Sequence, residues 1–227
     1  VLPSEGTIDS KNVGTYNVEI NEIVLTGDES ANYKLIQPEK TDVEVEISQK
    51  EINITDIKAE NRQYNGTNKV ELSGGNLQVI ESIDNGKVDF VLPSEGTIDS
   101  KNVGTYNVAI DEIVLTGDES ANYKLIQPQK TDVEVEISQK EINITDIKGI
   151  DKKYDETNLV SVEGGNLIGI EAGDNVDFIL NKKAKAESEQ VGKWNVVIEP
   201  IVLTGSQKDN YYLIQPKKED ITVNILD

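Results

Sequence analysis

From Thr105 onward, Tyr106, Val108 and Ile110 alternate with Asn107, Ala109 and Asp111. A period of two is the side-chain period of a β-strand, one face inward and one outward. The run continues through Ile113-Val114-Leu115 and stops at Thr116-Gly117-Asp118, a glycine turn. Asn122-Tyr123-Lys124-Leu125-Ile126 predicts the next strand, ended by Pro128, which has no N–H for a ladder. Val133, Val135 and Ile137 then alternate with Glu134, Glu136 and Ser138, and the β-branched content fits half-buried strands. After Ser138 the apolar phase shifts to Ile142 and Ile144, with Gln139-Lys140-Glu141 between. The same shift occurs at Gln49-Lys50-Glu51. Both places predict domain joints, and three residues without glycine predict a stiff connection. Within the unit that opens at Glu51, Ile52 to Ile57 predicts a strand, and Ser73-Gly74-Gly75-Asn76 and Asp84-Asn85-Gly86 predict turns.

The pattern repeats. Residues 91–148 duplicate residues 1–58 with three substitutions, Glu19 to Ala109, Asn21 to Asp111 and Glu39 to Gln129. A diverged third copy aligns Val191-Gly192, Ile201 to Gly205 and Asn210 to Pro216 with Val103-Gly104, Ile113 to Gly117 and Asn122 to Pro128. A period of about 90 residues is the size of a small β-sandwich rather than of a solenoid turn. The expected architecture is all-β, with tandem Ig-like β-sandwich domains arranged end to end as a rod. The joints divide it into residues 1–50, the C-terminal half of an incomplete repeat, and two complete repeats, 51–140 and 141–227. Residues 1–50 lack the opening strands of their sandwich, so they are expected to be less ordered or completed by strand pairing with another chain. The opposite phasing would begin units at Val1 and Val91.

Composition narrows the chemistry. The formal net charge of −20 repels nucleic acid and anionic membranes, and no apolar run reaches membrane-spanning length. The chain has no Cys, Met or His, which removes disulfides, thiolate and imidazole ligands and His-based proton transfer.

In order and spacing, Tyr64-Asn65-Gly66-Thr67, Gly74-Gly75-Asn76-Leu77, Lys101-Asn102-Val103-Gly104, Leu115-Thr116-Gly117 and Asn122-Tyr123-x-Leu125 resemble the YDG-type repeat, named for a Tyr-Asp-Gly motif. The other complete copy carries Tyr154-Asp155-Glu156-Thr157 at the motif. The resemblance implies an extracellular, Ig-like repeat of large bacterial surface proteins and brings no catalytic activity with it.

Few residues suggest chemistry of their own. Tyr123, with Tyr33 and Tyr211 at matching positions, reads as a ring packed in the core whose hydroxyl reaches backbone; the alternative is ligand stacking. Trp194 replaces Tyr106 and reads as packing. Gly117-Asp118-Glu119-Ser120 and Asp84-Asn85-Gly86 read as solvated acidic turns rather than calcium loops. Lys101-Asn102 would suit an isopeptide cross-link, but the third copy has Glu189-Gln190 there. No catalytic, cofactor-binding or metal-ligating residue is therefore expected, and no cofactor. The expected function is a structural stalk or spacer of a cell-wall-attached bacterial adhesin, with host glycan or protein bound by regions outside these residues. The alternatives are weak multivalent glycan- or host-protein-binding modules, or accessory domains of a secreted carbohydrate-active enzyme.

Overall fold

The computed structural model describes all 227 residues, and they are all-β: strands, turns and short 3₁₀ segments, with no α-helix. By contacts the chain divides into two compact units. One comprises residues 1–57, 74–93 and 111–128; the other comprises residues 58–73, 94–110 and 129–227. The cut falls inside the repeat 51–140, and both joints lie within units.

The second unit contains the whole last repeat. Seven strands form one sheet in the order Lys152–Lys153, Thr222–Leu226, Gly192–Val197, Lys183–Ala186, Leu159–Ile168, Lys140–Ile150 and Tyr211–Ile214. Lys140–Ile150 continues almost directly into Lys152–Lys153, five places away in that order, so the sheet must curl until its two ends lie over each other. Two edge pairings are parallel, Lys140 to Asn143 with Tyr211 to Ile214, and Lys152-Lys153 with Ile225-Leu226. The curled faces enclose Ile142, Ile144, Val160, Val162, Ala184, Val196, Tyr211, Leu213, Val223 and Ile225, all buried. The predicted alternation is realised: Val133, Val135 and Ile137 are buried, and Glu134 and Glu136 are exposed.

The glycine pair expected as a turn lies instead inside a strand, at Gly74-Gly75 in Lys69–Gln78 and Gly164-Gly165 in Leu159–Ile168. A Cβ on Gly164 would meet the Asp146 carbonyl oxygen at 2.4 Å, and one on Gly165 would meet the Phe178 ring at 2.6 Å. The pair kinks the strand at positive φ and lets a phenylalanine pack directly on backbone.

The first unit shows what the opening half of a repeat supplies. Residues 24–38 and 114–128 have the same sequence. In the second copy Val114–Thr116 pairs with Asp89–Val91, and Tyr123–Ile126 pairs in parallel with Lys50 to Asn53. Both partner strands belong to the opening half of the repeat. Within residues 1–227 no such half accompanies the first copy, and its residues 24–26 and 33–36 form no strand. Tyr33 is 73% exposed where Tyr123 is 4% exposed. The first copy keeps only the pairings Gly6-Thr7 with Glu19-Ile20 and Gly14 to Asn17 with Glu44 to Ile47. One local bond survives in every copy. The side-chain amide of Gln37, Gln127 or Gln215 bonds both the N–H and the C=O of Ile23, Ile113 or Ile201, replacing a strand neighbour.

Two outcomes follow. Limited proteolysis should cut first within residues 22–38, where backbone lacks a ladder, and the identical residues 112–128 should resist. Val79 holds φ 69° and is 60% exposed, where the last repeat has Gly169. Val79→Gly should therefore leave thermal stability unchanged or raise it by about 1 kcal/mol, because relief of left-handed strain offsets the added chain entropy.

Candidate functional site

Each joint leaves almost no free chain. Glu44–Ile47 ends two residues before Lys50–Ala59 begins, and Glu134–Ser138 ends one residue before Lys140–Ile150. The intervening Gln49 side chain donates to the carbonyls of Ala121 and Tyr123 at 3.0 and 3.2 Å. Gln139 does the same to Asp209 and Tyr211 at 3.1 and 3.2 Å. Lys140 then pairs with Glu171 at 2.5 Å, and Lys50 with Glu81.

Against this seam each joint carries a buried carboxylate. Asp174 of the last repeat has a side chain only 2% exposed. Its Oδ2 accepts from the hydroxyls of Tyr211 at 2.6 Å and Tyr64 at 2.7 Å, and its Oδ1 lies 3.3 Å from Lys101 Nζ. Tyr64 and Lys101 belong to the preceding repeat. The Tyr211 hydroxyl also accepts from the Glu171 N–H at 3.0 Å. The Tyr64 and Tyr211 rings meet edge to face at 5.4 Å, and the Lys101 ammonium stands 5.8 Å from the Tyr64 ring centroid. Beside them, Asn210 donates to the Asn102 side chain and accepts from the Val103 N–H, both at 3.0 Å.

The earlier joint repeats the arrangement. Asp84 accepts from Lys11 at 2.7 Å and from the Tyr123 hydroxyl at 2.8 Å. Asn122 bonds Asn12 and the Val13 N–H. A groove of about 250 Å³ lies beside Lys11, Ile47, Ile83, Asp84 and Tyr123.

Several sequence expectations change here. Asp84-Asn85-Gly86 is not a solvated acidic turn: Asp84 is 4% exposed. Glu119, in the other turn read as solvated, takes part in the joint through Lys11 and Asn122. The Lys101 and Asn102 side chains go to Asp174 and Asn210, on the next repeat. Tyr123 and Tyr211 are buried with hydroxyls on backbone N–H groups, as a core anchor requires, while their second bonds run to the joint carboxylates. Trp194 packs on Gly192 and donates to the Gln190 carbonyl at 2.7 Å, as Tyr106 packs on Gly104. The role of Tyr64, 1% exposed, could not be read from the motif alone because its partners lie 110 and 147 residues further on. One signal was available: Asp84 and Asp174 keep the 90-residue spacing although the loop that follows them differs in length. No group of three or more carboxylates is gathered as a metal site.

The electrostatics give the joint a pH range. Burial would raise the Asp174 carboxyl, but the hydrogen bonds from Tyr211 and Tyr64 and the Lys101 charge outweigh it and hold it below the usual carboxylate value. Lys11 and Tyr123 hold Asp84 low in the same way. A carboxyl depressed by folding contributes stability above its unfolded pKa of about 4 and loses it as pH falls through the folded value. Burial and the bond to Asp174 push the Tyr211 and Tyr64 phenols up. That contribution is lost as pH rises past about 10. Stability should therefore be flat between these limits and fall outside them. Asp174→Ala should cost about 2–3 kcal/mol by stranding two buried hydroxyls and an ammonium, and should flatten the acid limb of the unfolding profile. Asp174→Asn, which keeps an acceptor, should cost less.

The family model of the YDG domain matches residues 48–131 and again residues 138–219. No curated protein sequence and no solved structure matches the chain. The two matches include the Tyr64 and Tyr154 motifs, both joint carboxylates and their tyrosine partners, and together they take up most of the chain, which therefore belongs to the YDG domain family.

Proposed function

We propose that these repeats are structural spacers of a bacterial cell-surface adhesin, holding a terminal binding domain away from the cell wall. The reading rests on the joint. At the second joint the buried polar side chains of Asp174 and Asn210 are taken up in bonds to Tyr64, Lys101, Asn102 and Val103 of the preceding repeat. A spacer needs such a seam, because its reach depends on neighbours that do not hinge.

The aromatic residues support this against a glycan-binding array. Tyr212 is 57% exposed in the last repeat, but Lys124 stands at its position in the middle one. Tyr106 and Trp194 are spent on glycine backbone. No exposed ring recurs that would give each repeat the same platform for avidity.

The chain has no cysteine, so spin labels can be placed at will. With Glu71→Cys and Glu163→Cys, one on each side of the second joint, dipolar spectroscopy should give one narrow distance distribution. Asp174→Ala with Tyr64→Phe should broaden it. A broad distribution in the unaltered joint, or specific glycan binding that strengthens with repeat number, would overturn the spacer reading.

A further inference from the structure

The last repeat keeps the backbone of the joint-forming face but changes its chemistry. The Tyr154 N–H donates to the Leu226 carbonyl at 2.8 Å, as the Tyr64 N–H does to that of Ser138. Asp151 holds the Asn224 N–H as Asn61 holds that of Glu136. Glu156 takes φ 63° where Gly66 has φ 75°. The motif loop is thus presented in the same conformation, and its tyrosine, 1% exposed in the middle repeat, is 44% exposed here.

Three positions that meet the following repeat have become carboxylates. Lys101, which meets Asp174, corresponds to Glu189. Gly66, whose Cβ position lies 3.5 Å from the Glu171 side chain, corresponds to Glu156. Gln139, which donates to two backbone carbonyls, corresponds to Asp227. The upstream face of a repeat of this series offers acidic groups and carbonyl oxygens at those points: Asp174, Glu171 and the carbonyls of Asp209 and Tyr211. Stacking another such repeat on the last one would set Glu189, in place of the Lys101 cation, against an aspartate that is almost fully buried, and Glu156 against Glu171, whose recorded cation is Lys140. A buried charge left beside a like charge is strongly unfavourable. Asp227 would aim a carboxylate at carbonyls that need a donor.

From this we infer that the face formed by Tyr154, Glu156, Glu189 and Asp227 rejects a further repeat of this series and is an interface for a different protein module, one that presents Lys or Arg where these repeats present Asp174 and Glu171. Exposed Tyr154 supplies the aromatic anchor that Tyr64 supplies in the seam, and the carboxylates select the charge of what covers it. This goes beyond the spacer reading: it assigns the last repeat the place where the series changes to another kind of domain.

The test appends a second copy of residues 140–227 directly after Asp227 of the full chain and measures the label distance across the new joint, using Glu163→Cys and the same substitution in the appended copy. With the native face and an unaltered appended repeat, the distribution should be broad. Restoring the seam with Glu156→Gly, Glu189→Lys and Asp227→Gln should narrow it. Keeping the native face and changing the appended copy's counterparts of Asp174 and Glu171 to Lys should also narrow it. A narrow distribution in the first fusion would overturn the rejection of like repeats. Breadth in the third alongside narrowness in the second would overturn the basic partner. Breadth in all three would show that charge does not decide the joint and would overturn the proposal as a whole. Labels at Glu71 and Glu163 in the same fusions report the native second joint, so failure of the spacer reading is seen separately.

Discussion

A carboxylate removed from water at the seam between two repeats is the constraint on which the arrangement depends. Asp174 could not remain charged at 2% exposure without compensation, and the compensation comes from both sides: Tyr211 from its own repeat, Tyr64 and Lys101 from the one before. The penalty of desolvation is thus offset only when the two repeats are in register. An apolar seam would hold the repeats together at many rotations. A carboxylate with two hydroxyls and an ammonium holds them at one, because each oxygen has an assigned donor.

The fold class was legible in the sequence and much of the seam was not, and the reason is separation along the chain. Alternation in Val133, Val135 and Ile137 reports a neighbour's face through a local period, so the strands could be read directly. Gly74-Gly75 misled, because a glycine pair signals positive φ without saying whether the chain reverses or only kinks; the Phe90 ring against Gly75 decides for the kink. Asp84 and Asp174 looked like any acid beside a turn, since their donors stand 37 to 110 residues away. Nothing in the local sequence distinguishes a solvated aspartate from one whose solvent is another domain.

Residues 24–38 and 114–128 make the same point from the other side. Fifteen identical residues form two strands in one place and none in the other. Strand propensity is equal in both, so the difference belongs entirely to partners: Asp89–Val91 and Lys50 to Asn53 are present for one copy and lacking for the other. The bond between Gln37 and Ile23 persists in the copy without strands because both of its ends lie within the segment. Local sequence fixes what is bonded locally, and the opening half of the repeat fixes the rest.

This division also explains how a unit can be copied with so little change. Of the three substitutions between residues 1–58 and 91–148, none falls on Lys11, Asn12, Val13, Gln49 or their counterparts, and none on Asn122 or Tyr123. A duplicated repeat fits its neighbours only if it carries both halves of the seam, an aspartate, an asparagine and a tyrosine for the repeat before and a lysine, an asparagine and a tyrosine for the repeat after. The middle repeat carries both sets, in Asp84, Asn122 and Tyr123 and in Lys101, Asn102 and Tyr64. It can be inserted into the series without altering any neighbour, because each joint it breaks is replaced by two of the same kind. The last repeat retains the first set and has lost the lysine and asparagine of the second, so it can follow a repeat of this kind but does not offer the same joint to the next.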